Sequence, residues 1–320
     1  MIKNILQMFS FRFNPKSCNR SDWGEARKRL RPEAWPGLIP SFKINKSEKV
    51  FAIGSCFARN IEELLVEFGH CVPMISFTVP KEERPYGRLR GILNKYSPAA
   101  IFQELSWCEA IYQRGGGVNP KDVEKLLYVC TDDRLIDLHI GGFIPVTRER
   151  AYARRQEIFH VFSQAFSAQV VVITLGLNEV WYDCKNDLYI HMAPGKVMSL
   201  DSGRFQFRRL HYAECYDFVQ RSISLIRKHN PRCKFLITTS PVPLSKTYTQ
   251  EDVIIANTYS KSVLRAVCGE IVEKNSYVDY FPSYENVVLT KKWNIFQKDM
   301  RHVMRGFAKK IMRNLMEQYY

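Results

Sequence analysis

Three short stretches of the chain carry side chains that could take part in covalent chemistry. Gly54-Ser55-Cys56 places a hydroxyl and a thiol directly after an apolar run, and Gly176-Leu177-Asn178 follows another such run. Asp299-Met300-Arg301-His302 is the only Asp-x-x-His in the chain. A hydroxyl or thiol presented at the N-terminus of a helix can act as a nucleophile, and a short Asp-x-x-His turn can let the carboxylate hold the imidazole. We therefore expect nucleophilic chemistry if the fold brings these residues together.

The elements around these stretches are predicted to alternate between strands and helices. Hydrophobic periodicity predicts strands over 50–55, 72–79, 170–174, 234–239 and 277–280, and helices over 58–68, 98–112, 147–168, 211–229, 252–273 and 301–319. This alternation is typical of an α/β fold in which helices cover a parallel sheet. Ligand sites in such sheets lie at the carboxyl ends of the strands. The strand exits at 54–56, 176–178 and 240–241 are therefore expected to meet.

The first 48 residues differ from the rest of the chain. They show little periodicity, several prolines and a basic cluster at 27–31. We predict a basic N-terminal extension over 1–48, packed on a catalytic domain over 49–320.

The net charge of +15 is concentrated at the two ends of the chain. Residues 1–50 hold eleven Lys and Arg against four Asp and Glu, and residues 291–320 hold eight against two. This distribution favours an anionic partner: a phosphate-bearing acyl donor, an acidic glycan or an anionic membrane surface. A solvated basic surface without a partner is the alternative. Zinc-finger spacings and RNA-binding aromatic motifs are absent, which argues against nucleic acid.

Several other classes of protein are disfavoured. No apolar run approaches the roughly 18 residues of a membrane span, and the first residues lack a signal-peptide pattern, so a cytoplasmic protein is predicted. Nine scattered cysteines without a C-x-x-C pair indicate reduced thiols and no metal site. The motifs G-x-x-x-x-G-K-[ST] and G-x-S-x-G are also missing, which argues against P-loop proteins and ordinary α/β-hydrolases.

Five segments of the chain resemble the GSCFA family, which is itself similar to the SGNH, or GDSL-like, hydrolase superfamily. They are GSCFA at 54–58, RGILN at 90–94, ITLGLNEVWYD at 173–183, TTSPVP at 238–243 and VDYFPSYENV at 278–287. They occur in the family's order and, together with the Asp-x-x-His, span most of the chain. The resemblance implies a three-layer α/β/α sandwich with a mostly parallel, flavodoxin-like sheet of the SGNH kind.

The resemblance also implies roles for individual residues. In the SGNH first block, Cys56 stands in the place of the nucleophile and Ser55 in the place of an aspartate. We therefore predict Cys56 as the nucleophile, with Ser55 as the alternative, because free N–H groups at the start of a helix would stabilise an anion there. Asp299 and His302 complete the implied triad. The implied oxyanion residues are Asn178, Gly176 and Gly91, and the substrate-binding candidates are Gly54, Glu179, Trp181 and His139. Core packing is the alternative for the Trp181 ring.

The function implied by this resemblance is the handling of acyl esters on a carbohydrate. The prediction is an O-acyltransferase of bacterial surface polysaccharide that forms a covalent acyl-enzyme. Its donor would be acetyl-CoA or another acyl-CoA, used as a substrate, with no permanently bound cofactor or metal. A carbohydrate esterase and a non-catalytic glycan- or membrane-associated module with the same fold are the alternatives. The protein is placed in the cytoplasm, with peripheral contact to an anionic membrane as a further option.

Overall fold

The computed structural model describes residues 23–83, 89–142, 144–196 and 198–320. The strands are β1 (Val50–Gly54), β2 (Leu127–Val129), β3 (Leu135–Asp137), β4 (Val170–Leu175), β5 (Glu179–Asp183), β6 (Leu188–Ile190), β7 (Phe205–Arg209), β8 (Lys234–Thr239) and β9 (Val278–Tyr280). The helices are α1 (Trp23–Ala26), α2 (Cys56–Glu67), α3 (Pro98–Tyr112), α4 (Pro120–Glu124), α5 (Arg148–Phe162), α6 (Tyr212–His229), α7 (Val253–Lys274), α8 (Ser283–Val288) and α9 (Arg305–Tyr319).

The main sheet is parallel and has the strand order β1-β4-β8-β9. Gly54 is paired with Thr174, and Thr174 with Thr238, so the carboxyl ends of β1, β4 and β8 lie at one edge. Every residue of β1 and β4 is buried, as expected for parallel strands covered on both faces. The predicted α/β class with a parallel sheet is confirmed.

Successive residues of the central strands belong to two different hydrophobic clusters. Ile53, Ile173 and Ile237 pack with side chains from α3, α5, α6 and α7. Ala52 and Val172 pack with side chains from α2 and α9. Because successive side chains of a strand point to opposite faces, apolar side chains from helices cover both faces of the sheet.

Three of the predicted elements differ in the structure. The strand predicted over 72–79 is wrong: Pro73–Ser76 forms a 3-10 helix, and a single parallel bridge joins Lys49 to Cys71. Proline has no N–H to donate to a ladder, which explains why pairing stops there. Helix α5 ends at Phe162 and continues only as a 3-10 helix. The last helix begins at Arg305, because residues 296 and 303 pair across an intervening turn.

Two antiparallel sheets were not predicted. Strands β6, β5 and β7 form a three-stranded sheet, and β2 and β3 form a hairpin. Strand β5 begins directly after the exit of β4, so this small sheet holds the segment that follows the predicted Gly176-Leu177-Asn178 stretch.

The part of the N-terminal segment that the structure describes contacts the end of the chain. The Ile44 N–H donates to the Tyr319 carbonyl (3.1 Å), and the Ser41 N–H donates to the Asp279 carboxylate (2.9 Å). Ala34 and Ile44 are buried. These contacts join the segment to β9 and α9, while the domain boundary at residue 48 stays a prediction.

Candidate active site

The exit of β1 is held against β4 by a close approach of the two backbones. Gly54 has a φ of +135°, and a Cβ there would lie 2.1 Å from the Thr174 carbonyl oxygen. Only glycine tolerates both the left-handed backbone and this proximity. The Ser55 N–H then donates to the Thr174 carbonyl (3.1 Å) and to the Thr174 hydroxyl (2.9 Å). These bonds fix where α2 begins.

Ser55 is the N-cap of α2. Its Oγ accepts the Phe57 N–H at 3.3 Å and lies 3.2 Å from the Thr174 hydroxyl, and its side chain is buried. Cys56 is the first residue of α2 and is partly exposed. The serine hydroxyl is therefore engaged in capping the helix, whereas Cys56 is partly exposed at the helix N-terminus.

The capping role gives a prediction for Ser55→Ala. Removing a serine cap costs about 1 kcal/mol, so the free energy of unfolding should fall by that amount in a urea titration. Ser97→Ala is the matched control, because Ser97 caps α3 through the Ala100 N–H (3.2 Å). We expect both variants to lose similar stability and to keep the reactivity of Cys56. Loss of all acyl-enzyme in Ser55→Ala alone would instead identify the hydroxyl as the nucleophile.

Asp299 and His302 form one compact turn before α9. One carboxylate oxygen accepts the N–H groups of Arg301 and His302, each at 3.0 Å. The other oxygen accepts a hydrogen bond from Nδ1 of His302. The hydrogen bond from His302 holds the pKa of Asp299 well below its usual range. The Asp-x-x-His spacing thus places the carboxylate where it orients the imidazole.

The imidazole of His302 joins this turn to Cys56. A hydrogen bond with Cys56 and the bond to Asp299 raise the pKa of His302 to about 9, although partial burial opposes the rise. Because Nδ1 bonds Asp299, Nε2 is the ring nitrogen left for the sulfur. The structure therefore brings Cys56, His302 and Asp299 together as a connected Cys–His–Asp chain.

This pKa predicts how the stabilising effect of His302 depends on pH. Its pKa in the folded state lies above the ordinary value of 6.5, so its contribution is fully present below pH 6.5 and is lost as pH rises through about 9. In urea titrations, His302→Gln should be less stable than the wild type at pH 6 and equal to it near pH 10. His160→Gln, at an exposed position, is the control. An equal deficit at every pH would contradict the prediction.

Two of the predicted oxyanion residues, Gly176 and Asn178, follow the exit of β4, whereas Gly91 lies in a turn before α3. Asn178 is fully buried; its Nδ2 donates to the Leu210 carbonyl (2.8 Å) and its N–H to the Ser260 hydroxyl (3.1 Å). The Gly176 N–H donates to the Tyr96 carbonyl (2.9 Å). Gly91 lies in a 3-10 turn over Leu89–Leu93. Oxyanion binding by these three groups stays a prediction.

Gly176 does have a clear steric reason to be glycine. A Cβ there would lie 2.8 Å from the Tyr96 carbonyl oxygen and 3.1 Å from Cβ of Ser55. The Lys95 N–H also donates to the Gly54 carbonyl (2.7 Å). Segment 95–96 therefore hydrogen-bonds to the chain at the exits of both β1 and β4.

The predicted substrate-binding side chains are engaged within the protein. The carboxylate of Glu179 accepts hydrogen bonds from the Thr247 hydroxyl (2.7 Å) and the Tyr248 N–H (3.2 Å). The Trp181 ring packs edge-on against Tyr248, with centroids 5.0 Å apart. His139 is buried, with Nδ1 3.3 Å from the carboxylate of Glu104. These contacts hold β5 and the buried polar core in place; substrate binding by these residues stays a prediction.

Three residues near Cys56 were not found from the sequence. Lys261 on α7 is buried; burial lowers its pKa, and Cys56 opposes this shift. Burial and Cys56 raise the pKa of Tyr96. Arg301 donates to the Pro243 carbonyl (3.3 Å). A lysine in a helical pattern and an arginine between two predicted triad residues look like surface charges in a sequence.

The described parts of the chain show neither a metal-binding cluster nor a membrane-spanning helix. There, no three His, Cys, Asp or Glu side chains are grouped so that they could bind a metal ion. None of the helices described has both the length and the apolar character needed to cross a bilayer.

Comparison with models of protein families identified a match. The model of the GSCFA family matches residues 49–315, which is most of the chain and includes every member of the Cys–His–Asp chain. No curated protein matches the sequence.

Proposed function

The chain belongs to the GSCFA family, and we propose that it is an O-acyltransferase that modifies a carbohydrate through an acyl-Cys56 intermediate. The observation that carries this proposal is the connected chain of Cys56, His302 and Asp299 at the carboxyl edge of a parallel sheet. Acyl transfer needs a nucleophile, a proton carrier and a group that orients the carrier. As part of the same proposal, the fold is a three-layer, flavodoxin-like sandwich of the SGNH kind.

The proposed reaction has two halves that use the same residues. In the first, His302 already holds the proton that came from the Cys56 thiol, and the Cys56 sulfur attacks the acyl carbonyl of the donor. The tetrahedral intermediate then expels the donor's thiolate or alkoxide, which receives the proton from His302. In the second, His302 takes the proton of the acceptor hydroxyl, whose oxygen attacks the thioester. Collapse of this intermediate forms the new ester and frees the Cys56 sulfur, and His302 keeps the proton as at the start.

The charges around the site support an anionic donor such as an acyl-CoA. Arg301 lies in the turn that holds His302, and Lys261 acts on Cys56 electrostatically. The chain as a whole carries a net charge of +15. Positive charge at a cleft raises the local concentration of an anionic substrate. The proposed setting is the cytoplasm, with contact to an anionic membrane through the basic ends as part of the proposal.

Ester hydrolysis is the second candidate for this site. The side chains of Asp299 and His302 are 42% and 41% exposed, so water can reach the base that would activate an acceptor. A hydrolase and a transferase would share the first half of the reaction and differ only in the acceptor. The experiment must therefore follow both halves.

Intact-protein mass spectrometry with acetyl-CoA, and separately with an activated acetyl ester, tests the proposal. We expect a single acetyl group on Cys56, located by peptide mapping, and its transfer to added oligosaccharides. Release of acetate with no transfer to any sugar would favour the esterase. Failure of both donors to acylate Cys56 or to turn over would overturn the enzymatic proposal. Cys71→Ala and Cys184→Ala are matched controls, since both cysteines are exposed and can react non-specifically with the activated ester.

A further inference from the structure

Lys261 is a buried cation at the carboxyl edge of the sheet. It lies on α7 and is 1% exposed. Its Nζ donates to the carbonyl oxygens of Gly176 (2.6 Å) and Val242 (2.7 Å), which follow the ends of β4 and β8. Two carbonyl dipoles stabilise the ammonium only partly, because a buried charge normally requires an opposite charge.

No carboxylate supplies that opposite charge in the parts of the chain that the structure describes. Lys261 is absent from the ion pairs found there within 4 Å. Other buried cations are paired: Lys95 lies 2.6 Å from Glu104, and Arg59 lies 3.0 Å from Glu62. Burial lowers the pKa of Lys261 to about 7, Cys56 acts against this effect, and Arg301 adds to it. Gly176, whose carbonyl Lys261 binds, also lies against Ser55, since a Cβ at Gly176 would be 3.1 Å from Cβ of Ser55. Cys56, the next residue, is therefore the anion-forming group beside Lys261.

We propose that the ammonium of Lys261 is the electrostatic partner of the Cys56 sulfur and stabilises the negative charge that forms there. The inference rests on the proposed function, because it takes Cys56 as the reacting group. The proton stays on Nζ throughout, and His302 remains the group that receives the thiol proton. Lys261 is a positioning residue, since it acts through Cys56 and also holds the carbonyl of Gly176 against the site. Burial of Lys261 strengthens this interaction, because its charge is removed from water.

Alkylation of Cys56 by two reagents tests this proposal without any acyl donor. Iodoacetate is an anion and iodoacetamide is neutral, and both react at the same sulfur. Positive charge near the sulfur accelerates the anionic reagent relative to the neutral one, so the ratio of their rates reports that charge. Peptide mapping must be used to follow Cys56 separately from the exposed Cys71, whose own rate ratio is an internal reference.

We expect Lys261→Met to lower the iodoacetate-to-iodoacetamide rate ratio at Cys56 at least about fivefold at pH 6, the order expected for losing one nearby charge at a partly buried site. The ratio at Cys71 should not change. Lys274→Met is the matched control, because it removes one exposed positive charge from the same helix. An unchanged ratio at Cys56 in a folded Lys261→Met protein would overturn the proposal, as would an equal loss of both rates at every pH.

A second measurement needs no variant and covers the case in which Lys261→Met does not fold. Between pH 6 and pH 8 Lys261 loses most of its charge, while His302, with a pKa of about 9, keeps most of its own. The wild-type ratio should therefore fall over this interval; a constant ratio would overturn the inference. The alkylation ratios could behave as expected while the protein never takes up an acetyl group. That result would support the role of Lys261 and would reject the acyltransferase proposal.

Discussion

Replacement of Cys56 by alanine is expected to abolish the acyl-enzyme and to lower turnover at least about a thousandfold. The alanine variant keeps the backbone of α2 and its Ser55 cap, so the fold should be retained. What it loses is the atom that His302 contacts and that attacks the acyl carbonyl. Its remaining activity would come only from binding the donor and acceptor side by side. Turnover with acetyl-CoA and an oligosaccharide acceptor measures the effect.

Cys56→Ser is the informative companion variant. A hydroxyl is a weaker nucleophile than a thiol and depends wholly on His302 to remove its proton. We expect a slow acyl-enzyme that is an oxygen ester and resists hydroxylamine at neutral pH better than the thioester does. Cys71→Ala controls for loss of an exposed thiol. Full turnover in Cys56→Ala would contradict the covalent route.

The central sheet could be predicted from the sequence because its strands are continuous apolar runs. Val170–Leu175 is buried along its whole length. A continuous apolar run of this length is typical of a central strand in a parallel sheet that helices cover on both faces. Strand β5 could not be predicted in the same way. Glu179–Asp183 mixes charged and aromatic residues, and its partners Leu188–Ile190 and Phe205–Arg209 are short and partly exposed. Pairing between such strands depends on the turns that bring them together.

The Cys–His–Asp chain could be anticipated because Cys56 follows a predicted strand, Asp299 and His302 are close in sequence, and the resemblance to the GSCFA and SGNH families implies a role for each. The hydrogen-bond partner of the Asn178 side-chain amide could not be anticipated. Its Nδ2 bonds a carbonyl 32 residues away, and no local pattern specifies that partner. Lys261 was missed for the same reason, since the carbonyl groups that hold it lie 85 and 19 residues away. Spacing along the sequence indicates the helix, strand or turn on which a residue lies. Tertiary contacts determine which atoms of distant residues form a hydrogen bond.

A buried cluster of charged side chains could also not be predicted from the sequence. Glu104 on α3 is fully buried and lies 2.6 Å from Lys95 and 2.9 Å from Arg155. Arg155 also pairs with Asp137 at the end of β3. Lys95 precedes Tyr96, whose carbonyl accepts the N–H groups at the exit of β4. The cluster therefore anchors the segment that hydrogen-bonds to the exits of β1 and β4.

Glu104→Gln is expected to lower the free energy of unfolding by about 3–5 kcal/mol, because it leaves the buried Lys95 and Arg155 short of a negative charge. Urea titration at pH 7 measures the loss. Glu109→Gln is the matched control on the same helix: Glu109 pairs with Lys228 (2.8 Å) near the surface, and such pairs contribute at most about 1 kcal/mol. Similar losses in the two variants would show that the buried cluster contributes no more than a surface pair.

The pH dependence of the Glu104 effect follows from the same contacts. Burial opposes ionisation, but Lys95 and Arg155 outweigh it and hold the pKa of Glu104 well below its ordinary value of 4.5. The stabilisation is therefore fully present above pH 4.5 and is lost as pH falls towards the depressed pKa. Glutamine does not titrate, so the stability gap between the wild type and Glu104→Gln should narrow below pH 4.5. A gap that stays constant down to the acid transition would mean that side-chain packing, and not the carboxylate charge, makes Glu104 necessary.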